Sequence, residues 1–410
     1  MATNSYQTLM TYNQDALYAM KSPLSGFTKV VDRFGEIYHL KSSQMNQHHR
    51  TPQVCLVNPS TALSGAWSAG SIDFQVPKDM IHLWTSFNLE LTVTNSTGAA
   101  IKLLPTFLLF DFIDILIDGK TLMHITSEAL YASLALYTEE QINAIAPYAN
   151  MSTSFGAASG TLADGATATY YLPTDALCPF KTFGGLFTPG LKGDVRIRAQ
   201  LKPAANVFVT GSTCTINSLN LRVFGYELPV DEYNSLQDVY MNDFVDYKFL
   251  DVQLFTSVVG SETSGTNYTR QLSAINGVCP FMFAFERPAN PTGASTYNLL
   301  ALDDVQVLDA GGRPVLGNNP LDSNYLLSMY YAENLPDTSM MNSVNNYVIS
   351  FCQSIPLTMK SGAVLGCRRF NGQWSLQYTS QTTASNELDV IAFVFSRLRI
   401  NKGNAYIIPS

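Results

Sequence analysis

Charge is what this sequence has least of. Asp, Glu, Lys and Arg make up 14% of its 410 residues, against 46% apolar residues, where an average globular chain carries about 25% charge. A free-standing monomer of this length covers itself with more solvated charge than that, so partners are expected to cover part of the surface. The 23 Phe and 21 Tyr point the same way, because aromatics are favoured where surface is buried against another chain. A net charge of −8 excludes a surface built throughout for phosphate, which needs clustered Lys and Arg.

Catalytic signatures are missing as well. The chain has five His and no HExxH, GxSxG or P-loop pattern; Gly184-Gly185 and Gly311-Gly312 read as turns rather than phosphate cradles. His48-His49 lies in a polar, Gln- and Asn-rich segment and reads as a solvated loop. The six cysteines (Cys55, Cys178, Cys214, Cys279, Cys352, Cys367) contain no CxxC pair and mostly sit in apolar runs, the pattern of buried thiols in a reducing compartment. The acids Asp111, Asp114, Asp118 and Asp303, Asp304, Asp309 are the nearest approach to the paired carboxylates of a hydrolase. Asp118 and Asp309 read as turn formers, while Asp114 and Asp304 alternate with inward Ile and Val and are expected to face solvent. No catalytic, cofactor-binding or metal-ligating residue is assigned, and the chain is read as a non-enzyme without a cofactor. The first 20 residues have no Lys or Arg ahead of a continuous apolar block, so no export signal is expected. Leu103 to Ile117, the most apolar stretch, is broken by Pro105, Asp111 and Asp114 and is too short to span a bilayer.

What is present is period-two alternation between turn residues, the mark of antiparallel strands with one buried face. Phe87, Leu89, Leu91 and Val93 alternate with polar neighbours, as do Val195, Ile197, Ala199 and Leu201, and again Trp374, Leu376 and Tyr378. Helix is expected only over Ser127 to Leu136, followed by a capping box at Thr138 and Gln141, and over Leu321 to Leu335. Each helix follows a hairpin: Asp114 to Ile125 through Asp118-Gly119, and Asp304 to Val315 through Asp309 to Gly312. These hairpins lie about 190 residues apart; the strands from Gly193 and Gly372 lie about 180 apart, and the strands Leu219 to Leu228 and Leu388 to Ile400 about 170. Three pairs in one order indicate two copies of one fold, the first with longer insertions. The expectation is all-β, two tandem eight-stranded jelly-roll sandwiches with short helices after the central hairpins. Residues 1–64 are read as an N-terminal arm and lead-in, 65–228 as the first jelly roll and 229–410 as the second, joined by a polar linker from Glu227 to Asp238.

This organisation resembles the double jelly-roll major capsid proteins of tailless, icosahedral, membrane-containing phages and related DNA viruses. The resemblance is carried by the Asp-Gly hairpin before Ser127 to Leu136, by the Pro- and Phe-rich passage Leu172 to Phe187, and by Cys367 to Tyr378, similar to the family's penultimate strand. It implies pseudo-hexagonal homotrimers that tile an icosahedral virion shell around an internal membrane, assembled in the host cytoplasm. It also implies contacts with neighbouring capsomers and with vertex and minor capsid proteins, and no sequence-specific nucleic-acid binding. Loops such as Ser257 to Thr269 and Ala289 to Thr296 would project from one end of the sandwich. The arm offers Tyr6, Leu9, Met10, Leu17 and Met20 as one side of a short amphipathic helix, then the basic residues Lys21, Lys29, Arg33, Lys41 and Arg50. It is expected on the inner face of the shell, facing the viral lipid membrane or the genome, with a disordered tail or a clamp on the adjacent subunit as the other reading. The alternatives are a virion spike or receptor-binding β-sandwich, and a double jelly-roll glycan amidase or hydrolase, which would want an export signal and disulfides.

Overall fold

The computed structural model describes the backbone at 28–31 and 37–40, and residues 50–409 except 62, 152–159, 175–176, 181–184, 259–262, 289–291, 293–301, 316–346, 353–354, 356–366 and 381–385. The expected helix at Leu321 to Leu335 and the loop Ala289 to Thr296 lie largely or wholly outside these residues.

Eight strands form the first sandwich: β1 Thr51–Val57, β2 Ser71–Gln75, β3 Leu83–Thr94, β4 Phe110–Ile117, β5 Lys120–Thr126, β6 Thr167–Pro173, β7 Val195–Leu201 and β8 Thr215–Glu227. One antiparallel sheet runs β6–β3–β8–β1 and the other β2–β7–β4–β5. Successive strands change sheet at every step except the β4–β5 hairpin, which is jelly-roll connectivity.

The second half repeats this order with β9 Phe244–Thr256, β10 Asn267–Gln271, β11 Phe281–Pro288, β12 Leu302–Leu308, β13 Tyr347–Ser350, β14 Ser375–Ser380 and β15 Asn386–Asn401. Its sheets run β9–β15–β11–β13 and β10–β14–β12. Among the described residues, the counterpart of the β4–β5 pairing is an isolated bridge from Leu308 to Pro314, where Pro314 has no N–H to give to a ladder. A last strand, β16 Asn404–Pro409, folds back on β15. The three repeats read from the sequence are therefore equivalent positions in two jelly rolls: the β4–β5 hairpin and the 304–315 hairpin, β7 and β14, β8 and β15.

Alternation sets the layers. Phe87, Leu89, Leu91 and Val93 are buried along β3, and Val195, Ile197, Ala199 and Leu201 along β7. The β4–β5 turn closes through Asp118 and Gly119, both at positive φ (53° and 72°), as a tight hairpin requires. Helix α1 Ser127–Ala132 follows with Thr126 as its cap, then one 3₁₀ turn and α2 Glu139–Ile145, whose Thr138–Gln141 capping box is fully formed.

Two segments differ from expectation. Thr51–Val57, placed by sequence in the lead-in segment, pairs with β8 from Val57 opposite Leu221 to Thr51 opposite Glu227. Pro52 and the outward Val54 and Leu56 give it the irregular pattern of an edge strand, which hid it. The polar linker is helical: α3, Val230–Asn242, starts directly after Pro229, with Asp231 and Glu232 in its first turn. Proline fits a helix start and acids fit its positive end.

Candidate functional site

Polar and aromatic side chains meet at a seam between the sandwiches and at the root of the N-terminal arm. The aromatic part of the seam is built by α3 and β9. Tyr240 packs edge-on to Phe187 at 5.2 Å and Tyr247 to Phe180 at 5.7 Å, and the two tyrosine hydroxyls are hydrogen-bonded to each other. Burial pushes the Tyr247 hydroxyl up to about 12, so the pair stays neutral. The backbone closes the same region: Lys192 N–H donates to Gly403 O at 2.9 Å, and Lys120 Nζ to Ala405 O at 2.7 Å.

A charged row crosses the second sheet of the first sandwich. Strand register sets Asp73, Arg198, Asp114 and His124 side by side on β2, β7, β4 and β5. Arg198 Nε lies 2.9 Å from Asp73 Oδ1, and His124 Nδ1 lies 2.6 Å from Asp114 Oδ1. At the β5 edge the row meets β9 of the second sandwich, where Asp251 feels the charge of His124. Burial pushes the Asp251 carboxyl up to about 6, and its hydrogen bond to Val252 and the nearby His124 offset this only in part.

Asp114 therefore does not face solvent as its alternation suggested; it is 8% exposed, because the outer face of the sheet beside β5 is covered. Asp304 departs too. It sits at φ 50° within a register shift between Asp303 and Gln306, and its Oδ2 accepts from Thr379 Oγ1 at 3.2 Å. Asp309 is the turn former expected, its Oδ1 accepting from the Gly311 and Arg313 N–H groups at 2.8 and 2.9 Å.

Deeper in the seam lies a cluster of ion pairs. On the second sandwich, Arg287 reaches Glu387 at 2.6 Å and also bonds Asp389, whose Oδ1 accepts from Thr256 Oγ1 at 2.7 Å. On the first, Glu128 of α1 pairs with Lys202 at 3.2 Å. Burial by itself would raise the Glu128 carboxyl, but the charges of Lys202 and Arg287 outweigh it and hold the group at about 2. Burial raises Asp389, with Arg287 opposing it. Arg287 thus bonds two carboxylates of its own sandwich and acts on Glu128 of the other through its charge alone. Glu128, Asp251, Arg287, Glu387 and Asp389 were all missed in the sequence reading; the available signal was charge set inside or at the mouth of apolar strands, as in Phe281 to Pro288 and Asn386 to Phe395.

Of the arm residues proposed from sequence, Tyr6, Leu9, Met10, Leu17, Met20, Lys21, Arg33 and Lys41 lie outside the described residues. Lys29 falls in a strand, Thr28–Val31, paired with Ile37–Leu40 so that it stands opposite His39. Arg50 is not a free cation. Its Nε and Nη2 donate to Glu232 Oε1 of α3 at 3.0 and 2.6 Å, which pins the root of the arm beside the helix joining the sandwiches. Next to that root, β1 is an edge strand whose Val54 and Leu56 are 55% and 52% exposed. An open edge with apolar outward residues is a template for contact with another chain.

Among the described residues, no group of three or more His, Cys, Asp and Glu is placed to hold a metal ion, and no helix is long and apolar enough to cross a membrane. No family model and no curated protein matches the chain. Solved structures do. VP54 of the virus PBCV-1, as fitted into a reconstruction of the virophage Sputnik, is similar with a TM-score of 0.69 and 14% identity over 88% of this chain and 97% of that one. The Faustovirus major capsid protein is similar with a TM-score of 0.61 and 10% identity over 86% of this chain and 91% of that one. The chain is a double jelly roll. A chain in the quasi-atomic PBCV-1 capsid is similar with a TM-score of 0.66 and 13% identity, over 88% and 97% of the respective chains. At such identities the shared property is the fold, and it includes both sandwiches of this double jelly roll.

Proposed function

We propose that this double jelly roll is a major capsid protein, three copies of which form a pseudo-hexagonal block that tiles an icosahedral virion shell. The observation that carries the reading is the seam: two sandwiches of one topology are held side by side by the ring contacts of Tyr240 and Tyr247 and by hydrogen bonds from Lys120 and Lys192, so each chain offers two similar lobes and a trimer six. The scarcity of charge and the open apolar edge at β1 supply surface for neighbours. The chain's own copies, adjoining capsomers, and vertex and minor capsid proteins are the partners in this reading, and assembly takes place in the host cytoplasm. The division is an N-terminal arm and lead-in, a first jelly roll reaching residue 228 and a second from 229. In purified particles this chain is expected to be the dominant protein by mass; its appearance as a minor band would indicate a spike instead.

In the same reading the arm lies on the inner side of the shell against an internal membrane. Arg50 is spent on Glu232, which leaves Lys21, Lys29, Arg33 and Lys41 for anionic head groups, each contributing about 1 kcal/mol near a charged surface. Deleting residues 1–20 is expected to leave trimers intact and to impair assembly around membrane. Normal membrane-containing particles from the truncated chain would reject the inward-facing arm.

A further inference from the structure

Three of the six thiols converge in the second jelly roll although they are far apart in sequence. Cys279 ends the short strand Asn276–Cys279, which pairs with Arg368–Asn371 so that Cys279 stands opposite Arg368, next to Cys367. From Cys279 the chain passes through Pro280 into β11, where Phe281 stands opposite Ser350 of β13. The Phe351 N–H donates to the Pro280 carbonyl at 2.7 Å. That bond sets Phe351 beside Pro280 one step beyond the ladder, where the chain bends at both Pro280 and Cys352, and it leaves Cys279 and Cys352 on its flank. Pro280 has no N–H to return the bond, which is why the regular strands stop there.

The register also decides the kind of pair. Pro280 and Phe351 occupy a hydrogen-bonding position, so regular pairing carried one step further would make Cys279 and Cys352 a non-hydrogen-bonding pair, in which opposed Cα atoms lie about 4.5 Å apart and side chains are closest. That spacing is within the roughly 4.4–6.8 Å that a disulfide spans. Period two places both thiols on the side of Phe281 and Ser350, and both are buried, at 0% and 4% exposure. The third thiol, Cys367, is half-buried; burial pushes it up, and the positive charges of Lys248 and Arg368 beside it oppose that only in part. Each of the three is close enough to act electrostatically on at least one other.

We propose that Cys279 and Cys352 are an oxidation-gated cross-strand staple of the second jelly roll, with Cys367 as the thiol through which a small disulfide oxidant enters. All six cysteines are thiols in the structure, the state that a reducing cell maintains. When the protein meets oxidised glutathione, the Cys367 thiolate attacks one of its sulfurs, forming a mixed disulfide and releasing one glutathione thiolate. Cys352 then attacks the Cys367 sulfur and releases the second glutathione thiolate. Cys279 attacks Cys352 in turn, restoring the Cys367 thiol and leaving the Cys279–Cys352 bond. Two protein thiols are oxidised and one small disulfide is reduced to two thiols, and the protons end on those thiols and in water. The staple joins β11 to β13 where Pro280 interrupts their ladder.

The test uses the full chain, purified reduced, held folded in oxidised glutathione, then denatured, alkylated and mapped by peptide mass. The expected result is four alkylated thiols per chain and one cross-linked peptide pair holding Cys279 and Cys352, reversed by dithiothreitol. Cys367→Ser is expected to form the same link about ten-fold or more slowly. Six alkylated thiols after exhaustive oxidation, a stable link that includes Cys367, or a link to Cys55, Cys178 or Cys214 would overturn the assignment. An unchanged rate in Cys367→Ser would overturn the entry role. The wild-type map decides the pairing without relying on a variant that has to fold.

Discussion

Burial raises two acids of the seam alike, and the charges beside them then send them in opposite directions. Glu128 has Lys202 and Arg287 beside it and stays ionised down to about 2, whereas Asp251 has only the half-exposed His124 for a counter-charge and rises to about 6. The consequence for stability follows from proton counting. The unfolded Asp251 carboxyl titrates near 3.8, so between that value and about 6 the folded chain holds a proton that the unfolded chain has released. Stability from this group is greatest at low pH, falls as pH rises through that window and is level above it. Asp251→Asn, which carries no charge to desolvate, is expected to be more stable than wild type by about 2 kcal/mol near pH 7.5. The gain should shrink below pH 6 and almost vanish near pH 4. Thermal melting across that range checks it; a variant less stable at neutral pH would show that the ionised carboxylate is a net stabilising partner of His124.

At the scale of elements, legibility tracked how one-sided each strand's environment is. β3, β7 and β14 have one apolar and one wetted face, and their alternation showed in the sequence directly; the Asp118-Gly119 turn and the Thr138 capping box are local chemistry and showed equally well. β1 did not, because an edge strand with Val54 and Leu56 pointing outward lacks that contrast. The seam stayed hidden for a related reason: Asp114, Glu387 and Asp389 look solvent-facing until cross-strand partners are in place, His124 for Asp114 and Arg287 for Glu387 and Asp389, and that pairing is a fact of tertiary structure. The arm was legible only as composition, and pairing Arg50 with Glu232, 182 residues away, has no local signal at all. Glycine marks another long-range approach. Gly225 lies at a register shift in β8 where a Cβ would come within 2.0 Å of the Leu83 carbonyl oxygen and 2.4 Å of Ile81, so β8 can pass the start of β3 only without a side chain. Gly225→Ala is expected to cost about 2–3 kcal/mol in denaturant unfolding, and a cost below about 0.5 kcal/mol would show that the two strands separate easily there.

For the molecule as a whole, the account depends on two like sandwiches being one rigid block with too little charge to stand alone. Low charge density leaves surface that water covers poorly, and the Tyr240 and Tyr247 ring contacts with the Lys120–Ala405 and Lys192–Gly403 hydrogen bonds join the two lobes directly. The similarity to solved double jelly rolls extends over both lobes, and what it shows is the shared paired-sandwich fold. The most direct test is electron microscopy of the purified full chain at micromolar concentration. The account predicts uniform particles of about three times the 45.0 kDa chain mass with a near-hexagonal, six-lobed outline, whereas a field of separate two-lobed monomers would contradict it.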